Sequence, residues 1–154
     1  MRRSPELSKV ISLARIARQR IEILARIENG PPHLQGYCGV AAQYIRLLAQ
    51  RQGIHPDFVV GHFRSYNRIL DEYHWRSGHA WVEFDGHIID ITATQFRNVV
   101  SKIDRDLSVK VYVCRSTNPH YFKEFSNEDA LEKMPEWYTE PLEEICDKIE
   151  RLAA

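Results

Sequence analysis

The 154-residue chain predicts a single α+β domain, helical at both ends with a mostly antiparallel sheet between. Three observations carry this. Apolar residues recur at three- and four-residue steps from Leu7 to Leu24 and again after Cys38, the spacing of a helix face. The apolar runs near 58–60, 79–92 and 109–114 are short and rich in Val, Ile and aromatic residues, as strands are. Asp85-Gly86 divides the second of these runs in two, a strong hairpin signal.

The first helix opens at Ser4-Pro5, a capping residue followed by a proline tolerated in the first turn. Leu7, Val10, Ile11, Ala14, Ala17, Ile21 and Leu24 form its apolar face, and Asn29-Gly30-Pro31-Pro32 ends it. A short loop, His33 to Tyr37, leads to Cys38, which sits at or just before a second helix running on through Val40, Ala41, Tyr44, Ile45 and Leu48 toward Gly53. Phe58-Val59-Val60 is a strand, and residues 64–78 lack a clear period and read as a loop. The runs 79–84 and 87–92 are the two arms of a hairpin, and 109–114 is a further strand. Residues 127–134 and 140–152 read as helices, so the domain has a core near 33–115 with helical flanks at 4–29 and 127–152.

Composition excludes several classes. With 44% hydrophobic and 27% charged residues, the chain is an ordinary globular one, long enough to bury a core. Its 21 basic and 21 acidic residues balance, but unevenly. Residues 1–30 hold seven Arg/Lys against three Asp/Glu, and residues 121–154 hold four against ten. The terminal helices are therefore oppositely charged: the charges are solvated outer faces, or the helices pack together, or the basic one meets an acidic protein partner or a membrane surface. No dense basic cluster or zinc-finger spacing points to nucleic acid. No apolar stretch approaches the ~18 residues of a membrane span, and the N-terminus lacks the apolar core of a signal peptide. Three widely spaced cysteines, Cys38, Cys114 and Cys146, do not form a disulfide framework. A reducing cytoplasm is the expected compartment, or delivery from it by a secretion system. His62, His74 and His79 with Cys38 lack paired metal-ligand spacing, so no metal or other cofactor is expected. Cys114 and Cys146 read as packing residues.

Cys38 is the candidate nucleophile. The unpaired N–H groups and dipole of a helix N-terminus favour a thiolate, and Gly39 leaves room for a substrate to approach the sulfur. His79, at a strand start, is the candidate base. If Asp85 and Gly86 are the two turn residues, residue i faces 171 − i, and His79 faces Thr92. Asp90 then lies diagonal to His79 on the same face, where a carboxylate in the apolar run 88–91 needs a partner and can fix the histidine's tautomer. The backbone N–H of Cys38 is one candidate for an oxyanion hole; Gln35, or the indole N–H of a cleft-lining Trp81, is the candidate second donor.

The run Gly36-Tyr37-Cys38-Gly39-Val40-Ala41-Ala42 with Leu47-Leu48 and Gly53-Ile54, the strand Val59-Val60-Gly61-His62, the motif His79-Ala80-Trp81-Val82-Glu83 and the motif Asp90-Ile91-Thr92 occur in that order. They resemble the transglutaminase-like branch of the papain-like cysteine enzymes over residues 36–95, with Ile91 where the family usually has Pro. Asp90-Ile91-Thr92-Ala93-Thr94-Gln95-Phe96 is also similar to a form found in bacterial toxins and effectors of papain-like fold, several of which are glutamine deamidases. The resemblance implies a nucleophile helix packed on a mostly antiparallel sheet and a Cys38-His79-Asp90 triad. It also implies a thioester on Cys38 formed from an amide of a protein or peptide, such as a glutamine side chain. Glutamine deamidation or transamidation is the expected activity. A cysteine peptidase using the same three residues is one alternative, and a binding module that has kept the fold without the chemistry is another.

Overall fold

Helix α1, Pro5–Asn29, begins where its cap requires: the Ser4 hydroxyl accepts the Leu7 N–H at 3.1 Å. The same hydroxyl donates to Asp85 Oδ2 at 2.9 Å, tying the helix start to the hairpin turn. The structure, a computed structural model, describes residues 3–30, 34, 36–67, 69–96, 109–134 and 137–154. Leu7, Val10, Ile11, Ala14, Ala17, Ile21 and Leu24 form the buried face of α1, as their spacing predicts. Helix α2, Cys38–Gln50, is apolar almost all round, the signature of a helix enclosed on every side. It lies against α1, the sheet and the C-terminal helix.

The sheet has five strands: β1 (Asp57–Asn67), β2 (Glu72–Phe84), β3 (His87–Asp90), β4 (Tyr112–Arg115) and β5 (Tyr121–Ser126). Their order is β4-β3-β2-β1-β5, and every pairing is antiparallel. A single 3-10 turn covers Ala93–Phe96; helices α3 (Asn127–Lys133) and α4 (Leu142–Ala153) complete the chain. Side chains alternate between two cores. Phe58, Val60, Ala80, Val82 and Ile89 join the helices, whereas Val59, Phe63, Trp81, Ile88, Phe96, Tyr112 and Tyr121 form a smaller cluster.

Asp85 and Gly86 are the predicted two-residue turn, both at positive φ (51° and 72°), and Phe84 pairs with His87 and Val82 with Ile89. Three sequence expectations need correction. Residues 64–78 are largely hairpin, not loop: β1 and β2 stay paired out to Asn67 and Glu72. A register shift after Phe63 breaks the period-2 pattern while the backbone ladder continues. The strand expected from Val109 begins at Tyr112, Val109 itself being exposed. Strand β5 was not anticipated, because Phe122, Lys123 and Glu124 face solvent and hide the alternation.

The oppositely charged terminal helices pack side by side. Arg20 lies 3.4 Å from Glu150, and Glu28 lies 4.0 Å from Lys148. Such partly exposed pairs contribute little; Leu142, Cys146 and Ile149 supply the buried contact from α4. No helix among the described residues is long and apolar enough to cross a membrane.

Candidate active site

Cys38 is the first residue of α2. The chain turns into it through Gly36 at φ +88°, left-handed backbone that favours glycine. Tyr37 gives α2 no side-chain cap. The Gly39 N–H is instead accepted by the hydroxyl of Tyr138, 99 residues away, at 3.0 Å. Tyr138 in turn donates to the Gly36 carbonyl at 3.1 Å.

His79 projects from β2 and is fully buried. Its Nε2 is 2.7 Å from Asp90 Oδ2, the diagonal contact expected from the turn. Asp90 sits at the end of β3 with both oxygens engaged. Oδ2 also accepts the Tyr121 hydroxyl at 2.8 Å, and Oδ1 accepts the Thr92 N–H at 2.9 Å and its hydroxyl at 3.2 Å. Burial alone would raise this carboxyl, but the charge and hydrogen bond of His79, with Thr92 and Tyr121, lower it below the usual range. Burial likewise pulls His79 down, and Asp90, then Cys38, outweigh it and raise the ring to about 10. Both shifts favour the imidazolium–carboxylate form of the pair.

The other ring nitrogen, His79 Nδ1, is buried and makes no hydrogen bond among the described residues. Cys38 is close enough to help hold the ring charged. The rest of the ring is enclosed by Phe96, edge-on at 4.8 Å, and by Trp81 at 5.9 Å between centroids. The arrangement can present a proton donor, locked in one orientation, to whatever reacts at the sulfur. The other thiols are in different settings: burial pushes both Cys114 and Cys146 to about 12, which keeps them protonated.

The remaining sequence candidates stand as follows. Gln35 lies outside the described residues. Trp81 is buried, and its indole N–H donates to Glu83 Oε1 at 3.2 Å, so it lines no open cleft and its donor is already used. The space expected beside Gly39 is filled: a Cβ there would sit 2.6 Å from Met134 Sδ and 2.8 Å from the Tyr138 oxygen. His62 pairs with Glu124, and among the described residues no three His, Cys, Asp or Glu side chains gather as a metal site.

Three contributors, Tyr121, Arg18 and Tyr138, escape the sequence pattern, whereas Thr92 closes the motif Asp90-Ile91-Thr92. Tyr121 and Thr92 hold Asp90. Arg18, buried on α1, donates to the Ile91 carbonyl at 2.6 Å and to the Thr94 hydroxyl at 3.2 Å, fixing the segment after Asp90. Tyr138 covers the start of α2. One signal was available for Tyr121. Gly61, inside a strand, marks a close backbone approach, and a side chain there would collide with the Phe122 carbonyl. The bulge at Val60/Gly61 brings in β5, and with it Tyr121 opposite Phe63. Comparison with protein-family models, with curated proteins and with solved structures found no match.

Proposed function

We propose that the chain is a cysteine-dependent acyl-transfer enzyme of the papain-like, transglutaminase-like kind, acting on an amide of a protein or peptide. The observation that carries this reading is the buried His79–Asp90 pair, with Nδ1 left without a hydrogen bond and with Cys38, at a helix N-terminus, near enough to help raise the ring. A structural histidine would satisfy both nitrogens; this one leaves a buried nitrogen unpaired, and such a group needs a functional account.

In the proposed reaction the Cys38 thiolate attacks the amide carbon, and the carbonyl electron pair moves to oxygen. Backbone N–H groups at the start of α2 stabilise the oxyanion. The C–N bond then breaks, and His79 gives its Nδ1 proton to the departing nitrogen. Ammonia or an amine leaves, and a thioester remains on Cys38. Neutral His79 next takes a proton from a water or an amine as it attacks the thioester carbon; the C–S bond breaks, releasing an acid that ionises to the carboxylate, or a new amide, and leaving Cys38 a thiolate beside the imidazolium again. Asp90 stabilises the charged ring at each stage. Glutamine deamidation or transamidation fits the resemblance over residues 36–95 best.

A second reading is favoured by one observation. Cys38 is only 6% exposed, which suits a binding module that has retired the chemistry. Intact mass of a glutamine-containing peptide, incubated with a small amine and either the parent chain or Cys38→Ala, separates the readings. A Cys38-dependent gain of about one dalton, or of the amine, is expected from this mechanism. Peptide cleavage would make the enzyme a peptidase, and no Cys38-dependent change would favour the binding module.

A further inference from the structure

We propose that Arg18 is a positioning residue for this site, acting through the peptide group between Ile91 and Thr92 to hold and strengthen the donor that faces Asp90. The inference rests on the catalytic reading above and carries it to a side chain on α1, at the far end of a relay that runs through Asp90 to His79.

Arg18 is 8% exposed, on a helix that packs against β3. A guanidinium buried this far must be paired, and its partners show what it serves. Nε donates to Glu22 Oε1 at 2.7 Å. Nη1 donates to the Ile91 carbonyl at 2.6 Å and to the Thr94 hydroxyl at 3.2 Å. The Ile91 carbonyl and the Thr92 N–H belong to one planar peptide unit, and that N–H donates to Asp90 Oδ1 at 2.9 Å. A cation at the carbonyl oxygen draws electron density across the unit and makes its N–H a stronger donor. It also fixes the plane, and so the aim of the N–H. Arg18 thus passes orientation and part of its charge to Asp90 through one shared peptide.

Charge alternates along the whole line. The exposed Lys110 ammonium lies 3.1 Å from Glu22 Oε1; Arg18, Asp90 and His79 follow. Burial raises the Glu22 carboxyl, and Arg18 with Lys110 outweighs it. Burial also raises Asp90, and His79, followed by the Thr92 N–H, lowers it. Cys114 from β4 and Tyr121 from β5 also face this carboxylate, and burial keeps both protonated; Cys38 from α2 faces the ring. A bare strut between α1 and the sheet would make the same bonds to Arg18 and leave the proton affinity of Asp90 where it is. In a relay, loss of the cation weakens the donor on Oδ1, and the carboxylate takes a proton more readily.

The test uses the full chain and reads the Asp90 carboxyl carbon and the Thr92 amide proton by NMR against pH. Acyl transfer to a glutamine-containing peptide is measured alongside. In Arg18→Gln, which keeps a donor and loses the charge, Asp90 should bind a proton about tenfold more tightly. The Thr92 amide proton should move upfield, and the acid limb of acyl transfer should move to higher pH. Arg18→Lys, which keeps the charge, should restore most of each. Arg18→Met removes charge and donor together and should shift furthest; Arg18→Gln decides the matter if Arg18→Met does not fold. Lower stability in Arg18→Gln with Asp90 and Thr92 unmoved overturns the proposal and makes Arg18 a strut. A shift at Asp90 without one at Thr92 also overturns it, since the charge would then act through space. Shifts at both, in a parent with no Cys38-dependent transfer, leave the relay standing and overturn the catalytic reading on which its role rests.

Discussion

His79 and Tyr138 both bear on Cys38, yet they are held in opposite ways. On the His79 side, Asp90 receives four hydrogen bonds from three residues, all buried, and Arg18 anchors the following segment from a separate helix. On the Tyr138 side, one hydroxyl makes two bonds to backbone beside a surface pocket of about 190 Å³, next to a half-exposed tryptophan. Charge must be pre-oriented to act on a reacting bond, so the half that carries charge is over-determined. The Tyr138 side offers a neutral hydroxyl to backbone and needs no such orientation.

The largest expected effect comes from breaking the rigid half. Asp90→Asn keeps the size and removes the charge, so His79 loses its partner while Tyr121 and Thr92 still offer donors to what is now an amide. Acyl transfer should fall by about 10³–10⁴-fold, as triads do when the orienting carboxylate is neutralised. Stability should fall by about 3–5 kcal/mol because a buried charge is left unpaired. The pH profile sharpens this. The folded pKa of His79, about 10, lies above its ordinary 6.5, so its contribution is full below 6.5 and lost as pH rises through 10. That of Asp90 lies below 3.8, so its contribution is present above 3.8 and lost as pH falls through the folded value. Urea unfolding across pH should show both limbs in the parent and neither in Asp90→Asn. Identical profiles would mean that the pair is not ionic.

Much of the rigid half was readable from sequence because its geometry is local. One two-residue turn at Asp85-Gly86 fixes the register, and alternation then carries Asp90 to His79. The helix start at Cys38 followed from the stop at Asn29-Gly30-Pro31-Pro32, the short loop after it and the apolar run beyond. Residues delivered from a distance were not readable. Tyr121 arrives on an edge strand whose outward residues are polar and aromatic. Arg18 looked like one more solvated charge on a basic helix, since nothing in a helical period reveals a carbonyl 73 residues away. The outer hairpin was obscured by its own bulge. Met134, Trp137 and Tyr138 lie about 100 residues from Cys38 and share no period with it, so the open space inferred beside Gly39 was filled by contacts that no local pattern encodes.

A smaller effect tests how redundant the rigid half is. Tyr121→Phe removes one bond to Asp90 Oδ2, which His79 still occupies. A hydrogen bond to a charged group contributes about 1.5–3 kcal/mol, and chemical denaturation should show a loss of that size. Acyl transfer should drop less than about tenfold, because His79 keeps its charge partner. A loss as large as that of Asp90→Asn would make Tyr121 part of the charge machinery, and the over-determination argued for Asp90 would fail.

The smallest effect is expected at Trp81, where sequence and structure assign the indole N–H differently. Sequence reasoning offers it to an oxyanion; the structure directs it to Glu83 at 3.2 Å, within the smaller hydrophobic cluster. Trp81→Phe keeps an aromatic ring beside His79 but deletes that donor and leaves a small cavity in the buried cluster, so stability should fall by about 1–3 kcal/mol. Acyl transfer should stay within about threefold, since losing a true oxyanion donor costs about 10²–10³. A loss of that size would mean that substrate binding turns Trp81 away from Glu83 toward the substrate. The ring beside His79 would then belong to the substrate-binding surface, and the fixed wall of the site would have to be redrawn through β2.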